Sequence, residues 1–131
     1  MPSYDIGTAA FAVGASRKWV DNITSHFSLP GVDSTGRGVQ RDFSFDAVVL
    51  LAVVRSLVDH FAMPAARAIE IADQVRLSDD GVISLADGLR LIVDQQFVAH
   101  EVRRRLLDAA ESVPRVPRGR PPRSRSRQAA S

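Results

Sequence analysis

The side chains best suited to chemistry in this chain are cations and amides gathered in two short stretches. Ser16-Arg17-Lys18 opens the first, with Asp21 and Asn22 one turn further on; Gly36-Arg37-Gly38-Val39-Gln40-Arg41 forms the second. An arginine fork matches guanine O6 and N7 or a phosphate, and an asparagine amide matches adenine N6 and N7. Glycines on either side of Arg37 let a backbone approach a ligand closely. Ser16, Arg17, Lys18, Asn22, Arg37 and Arg41 are therefore the candidate contacts to double-stranded DNA. Arg17 and Lys18 beside Asp21 also fit an ordinary solvated helix face, and Trp19 reads as core rather than as a base-stacking group.

Other chemistries have little support. The chain has no Gly-rich phosphate loop, no nucleophile elbow and no paired acid with a plausible partner at short range, so it is read as neither an enzyme nor a cofactor binder. His26, His60 and His100 lack metal-ligand spacing, and Asp79-Asp80-Gly81 lacks the rest of a calcium loop, so no metal site is expected. His60 is expected at the core or its boundary, on an apolar helix face. Nothing points to a small-molecule effector.

Local patterns place the candidate residues on specific elements. Ile6, Ala9, Ala10 and Val13 have helical spacing, with Asp5 or Thr8 as the cap and Gly14 as the stop. Ser16 caps a second helix running to about Phe27, whose apolar face is Trp19, Val20, Ile23 and Phe27. Leu29-Pro30-Gly31 ends it. The turn-rich residues 31–38 lead into an alternating strand, Val39 to Phe43, which makes a hairpin with Arg37 and Arg41 on its basic side. Ser44 caps a long helix from Phe45 that ends before Pro64, with His60 and Phe61 on its apolar face. Pro64 suits the first position of the next helix, which continues to about Arg76.

The order Ile6-Gly7, Ala9-Ala10, Gly14-Ala15-Ser16, Lys18 and then Arg41-Asp42-Phe43-Ser44 before an amphipathic helix resembles a MerR-type winged helix-turn-helix. The resemblance covers roughly residues 4–76. It implies that helix 16–27 is the recognition helix, that Gly36 to Phe43 is the wing, and that Arg17, Lys18, Asn22, Arg37 and Arg41 lie on the DNA side. In that family an arginine and paired aromatics usually stand where this chain has Asp21, Asn22 and Ile23. The family's long coiled coil also has no counterpart in the pattern.

Beyond this unit, Ser78-Asp79-Asp80-Gly81 is a turn. Val82–Leu85 and Leu89–Val93 flank Asp87-Gly88, a hairpin signal, although Ser84 with Asp87 also resembles a capping box. The β-branched residues favour the hairpin. A helix follows from Asp94 to about Ser112, with Val98, Val102, Leu106, Ala109 and Val113 as its stripe. That stripe predicts a homodimer through helix 94–112. Arg103-Arg104-Arg105 reads as a solvated face balanced by Glu101, Asp108 and Glu111.

The net charge of +2 conceals an asymmetry. Six arginines lie from residue 115 onward with no acid among them, which leaves residues 1–113 with eleven basic and fifteen acidic side chains, a balance of −4. The basic character therefore belongs to residues 114–131, a Pro-, Arg- and Ser-rich tail that reads as disordered. Arg118, Arg120 and Arg123 in it are candidate phosphate contacts. The hydrophobic fraction of 45% fits one small folded unit, and there is no cysteine for a disulfide or thiolate site. No signal peptide or membrane span is apparent, so a bacterial cytoplasmic, nucleoid-associated protein is expected.

The sequence thus predicts a mainly α fold with small β hairpins. Residues 4–76 form a winged helix-turn-helix, residues 77–113 a C-terminal hairpin and helix, and residues 114–131 a disordered arginine-rich tail. The expected function is sequence-specific transcriptional regulation. The alternatives are an architectural or excisionase-like DNA-binding protein of a mobile element, and a protein-interaction adaptor that has lost DNA binding.

Overall fold

In a computed structural model, which describes residues 2–33 and 41–112, the chain forms five helices and two small antiparallel hairpins. The first helix, α1 (Ile6–Val13), starts where Asp5 accepts a hydrogen bond from the Thr8 N–H at 2.8 Å. It stops at Gly14, whose φ of 71° lies in the left-handed region, and the Gly14 N–H satisfies carbonyls of the last turn. Buried Ala9, Ala10 and Ala12 make the packed face of α1 thin, so neighbouring helices approach closely. Two residues later Ser16 caps α2 (Arg17–His26), accepting from the Trp19 N–H at 3.0 Å. Val20 and Ile23 are the buried residues of α2, which packs on α1.

A short antiparallel pairing lies where the sequence suggested a hairpin. Strand β1 (Val32–Asp33) pairs with β2 (Asp42–Phe43), Val32 opposite Phe43. Tyr4 flanks β2 on its other side through two backbone hydrogen bonds with Phe43, each 2.9 Å. The strand is shorter than the alternation from Val39 suggested. Val39, Arg37 and the hairpin tip fall in residues 34–40, outside the described residues.

Ser44 then caps α3 (Phe45–Phe61) through the Ala47 N–H at 3.1 Å. This helix carries seven buried residues, from Ala47 to Leu57. His60 and Phe61, which periodicity assigned to its apolar face, are exposed, because α3 outruns its packing partners in its last turn. Pro64 sits at the N-cap of α4 (Ala65–Leu77), one place earlier than expected. Ala68, Ile71, Ala72 and Val75 of α4 are buried, and the helix packs against α3.

The ambiguous segment is a hairpin. Strand β3 (Val82–Ala86) pairs with β4 (Leu89–Ile92), and Gly88 supplies a φ of 77° at the turn. Asp94 accepts from the Phe97 N–H at 3.0 Å at the start of α5 (Gln95–Ser112). Val102, Leu106 and Ala109 of α5 are buried, and α5 packs on α1 and α3. The stripe that suggested chain pairing therefore faces inward: Val102 and Leu106 belong to one hydrophobic cluster with α1, α2, α3 and α4.

Phe43 is 0% exposed and heads the fully buried side chains by size. Its strand touches both α1 and α3. Truncating a buried phenylalanine costs about 3–5 kcal/mol, the transfer term plus the cavity left behind. Phe43→Ala is expected to lower the urea midpoint accordingly with an unchanged m-value, measured by circular dichroism.

Candidate nucleic-acid interface

At about 100° per residue, Arg17, Lys18, Asp21, Asn22 and Ser25 occupy an arc of about 140° on α2. All five are exposed. Trp19, Val20, Ile23 and Phe27 fall on the opposite side, where Val20 and Ile23 are buried and Trp19 and Phe27 half-buried. One face of α2 is thus held by the core and the other is open, polar and cationic at its N-terminal end. Ser16 itself is engaged as the cap.

Trp19 does not stand free to stack on a base. The Arg55 guanidinium of α3 lies over its ring, 4.9 Å from the centroid, and Arg55 Nε is 3.0 Å from the Asp59 carboxylate. This is the expected core role, with a cationic lid added.

Arg17 is set by an unexpected neighbour. A Cβ placed on Gly7 would lie 2.6 Å from Arg17 Nη2 and 3.0 Å from its Nε. The arginine side chain therefore crosses α1 at the one residue without a side chain, and Gly7 fixes where the guanidinium rests.

Arg41 is placed differently from the expectation of an open phosphate contact. Its Nη1 donates to Asp21 Oδ1 in an ion pair, and its Nη2 donates to Ser25 Oγ at 3.0 Å. The Arg41 side chain is only 24% exposed, against 53% for Asp21. Arg41 therefore ties the start of β2 to the middle of the open face of α2. Asp21 and Ser25 can both reach it because they are one helical turn apart. Nothing in the local sequence signals this triad, since its members lie 16 and 20 residues apart from Arg41. Arg37, Arg118, Arg120 and Arg123 lie outside the described residues.

The other basic run is absorbed within the fold. Arg103 lies over the Phe45 ring at 4.9 Å, and Arg104 bonds Glu101 at 2.7 Å and Asp108 at 3.4 Å. Arg105 reaches the Phe11 carbonyl of α1 at 3.4 Å. The Arg104 hydrogen bond holds the Glu101 carboxyl below its ordinary pKa. As expected of a balanced face, these cations have partners close by.

Among the described residues no group of three His, Cys, Asp or Glu side chains is placed to hold a metal ion, and no helix is long and apolar enough to cross a membrane. A groove of about 420 Å³ opens between α3, α4 and α5, floored by Val49, Leu50, Val53 and Val75 with Asp46 and Arg76 among its polar lining. None of its lining residues belongs to α2 or the wing. No protein-family model matches the chain, and no curated protein or solved structure matches it either.

Gly7→Ala separates packing from positioning. Alanine is a better helix former than glycine by up to about 1 kcal/mol, and the atom it displaces is the end of a flexible side chain. Thermal unfolding should shift little, or upward, while the Arg17 Nε resonance moves in the NMR spectrum of the variant.

Proposed function

We propose that the chain is a sequence-specific DNA-binding protein of the winged helix-turn-helix type that regulates transcription. In this reading α2 enters the major groove and the hairpin carrying Arg37 rests on the backbone. One observation carries the proposal: the outward arc of α2 holds Arg17, Lys18 and Asn22 in the open, while its inner face is locked on the core by Val20 and Ile23. The side chains that can read base edges or meet phosphates are thus on a rigid element rather than on a loop. The capped turn at Gly14-Ala15-Ser16 gives α2 a fixed angle to its buttress, α1. Lys18 and the wing meet phosphates; Arg17 and Asn22 face bases. The arginines at 118, 120 and 123 add contacts that follow charge rather than sequence. Such a protein works at the nucleoid.

Arg41 acts indirectly in this reading. Its two donors hold Asp21 and Ser25, so it orients the wing against α2 and cancels a carboxylate that would repel DNA.

Fluorescence anisotropy with a pool-selected duplex at graded salt tests the proposal. Lys18→Ala should reduce the slope of log affinity against log salt by about 1, the signature of one lost phosphate contact. Arg17→Ala should weaken binding about tenfold or more, in line with a lost base or phosphate contact. Both residues are exposed, so melting temperatures should not move. Truncation after residue 113 should leave sequence preference intact. Affinity that is unchanged in both variants and disappears with the truncation contradicts the proposal.

A further inference from the structure

We propose that Asp21 is a specificity-determining residue that accepts a hydrogen bond from cytosine N4 in the major groove. The inference rests on α2 being the recognition helix. It starts from position: in the exposed arc of α2, Asp21 lies about 30° from the centre line at about 100° per residue, level with Lys18 and nearer to it than Arg17 or Asn22. A helix entering a groove along that arc brings its central side chains closest to the base edges.

A carboxylate there should be unfavourable, because DNA carries a dense negative charge. The fold removes that objection. Arg41 Nη1 takes Asp21 Oδ1, and Arg41 Nη2 is anchored on Ser25 Oγ at 3.0 Å, so the carboxylate is both neutralised and oriented. Oδ2 is left to accept from a ligand, on a side chain that is 53% exposed. The cation that pairs with Asp21 comes from the wing base, two residues before the buried Phe43, so its position is fixed by the core.

An acceptor-only group then selects among the bases. The exocyclic donors of the major groove are cytosine N4 and adenine N6. Adenine N6 has the N7 acceptor beside it, which repels a carboxylate oxygen; cytosine N4 has only the C5 hydrogen on that side. Asn22, with both a donor and an acceptor, suits adenine instead. The two residues are neighbours on α2 and together predict a site in which a cytosine and an adenine are read close to one another.

Selection from a randomised duplex pool, followed by sequencing, tests this with the full chain and two variants. The wild type should enrich a motif with a cytosine at one position. Asp21→Ala should relax preference at that position alone, by about tenfold in relative affinity, the scale of one good base contact. Asp21→Asn should move the preference there from cytosine to adenine, because an amide matches N6 and N7. The variants' melting curves accompany the selection, since a strut that only supports the wing would alter stability and leave the motif unchanged. An unchanged cytosine preference in both variants overturns the inference and leaves the DNA-binding proposal standing. A wild-type pool without any enriched motif overturns both.

Discussion

Four consecutive residues hold this fold together, and the burial of Phe43 is the constraint on which the others depend. Its side chain is removed from solvent, worth about 1.5–3 kcal/mol for a residue of this size. With Phe43 in place, its backbone pairs with Tyr4 at 2.9 Å in both directions, and Ser44 N–H reaches the Gly31 carbonyl at 2.9 Å. Ser44 caps α3 with its hydroxyl, and Arg41 reaches back to Asp21 and Ser25 of α2. The N-terminal segment, the β1–β2 pairing, α2 and α3 thus meet at residues 41–44. The magnitudes rank these links. A partly exposed ion pair contributes about 0–1 kcal/mol, less than the buried ring, so Arg41 orients more than it stabilises.

This arrangement changes how charge is distributed over the open face of α2. The carboxylate of Asp21 sits among Arg17, Lys18 and Asn22 and is balanced by a cation. The segment just before β2 supplies that cation from outside the helix, through Arg41. Elsewhere the fold settles its own charges: Arg103, Arg104 and Arg105 are occupied by Phe45, by Glu101 with Asp108, and by the Phe11 carbonyl. Arg17 and Lys18, by comparison, are exposed on α2, whose other side is anchored by Val20 and Ile23.

The parts of the fold that were legible in the sequence are those decided within a few residues. Asp5, Ser16 and Ser44 cap helices through N–H groups three residues on, and such short loops leave the chain little choice. Gly14 and Gly88 sit at left-handed turns that other residues adopt only at a cost. The candidate site was legible to the same extent: the outward arc of α2 follows from periodicity alone. What required tertiary structure stayed hidden. A stripe on α5 says that a face is buried, but whether it is buried by α1 and α3 or by a second chain depends on distant segments. His60 and Phe61 continue the period of α3 beyond the point where anything covers them. Arg41 finds Asp21 across 20 residues, and the bare face of Gly7 receives Arg17; neither pairing leaves a mark in the local pattern.

In the proposed function α2, held by α1 and by the Arg41 link, presents the DNA-reading surface. Amide chemical-shift mapping of the full chain, titrated with a selected duplex at moderate salt, tests it most directly. The largest shifts should fall at residues 16–26 and around Arg41, with small changes in α4 and the β3–β4 hairpin. Shifts confined to residues 114–131, or centred on the groove between α3, α4 and α5, would contradict it.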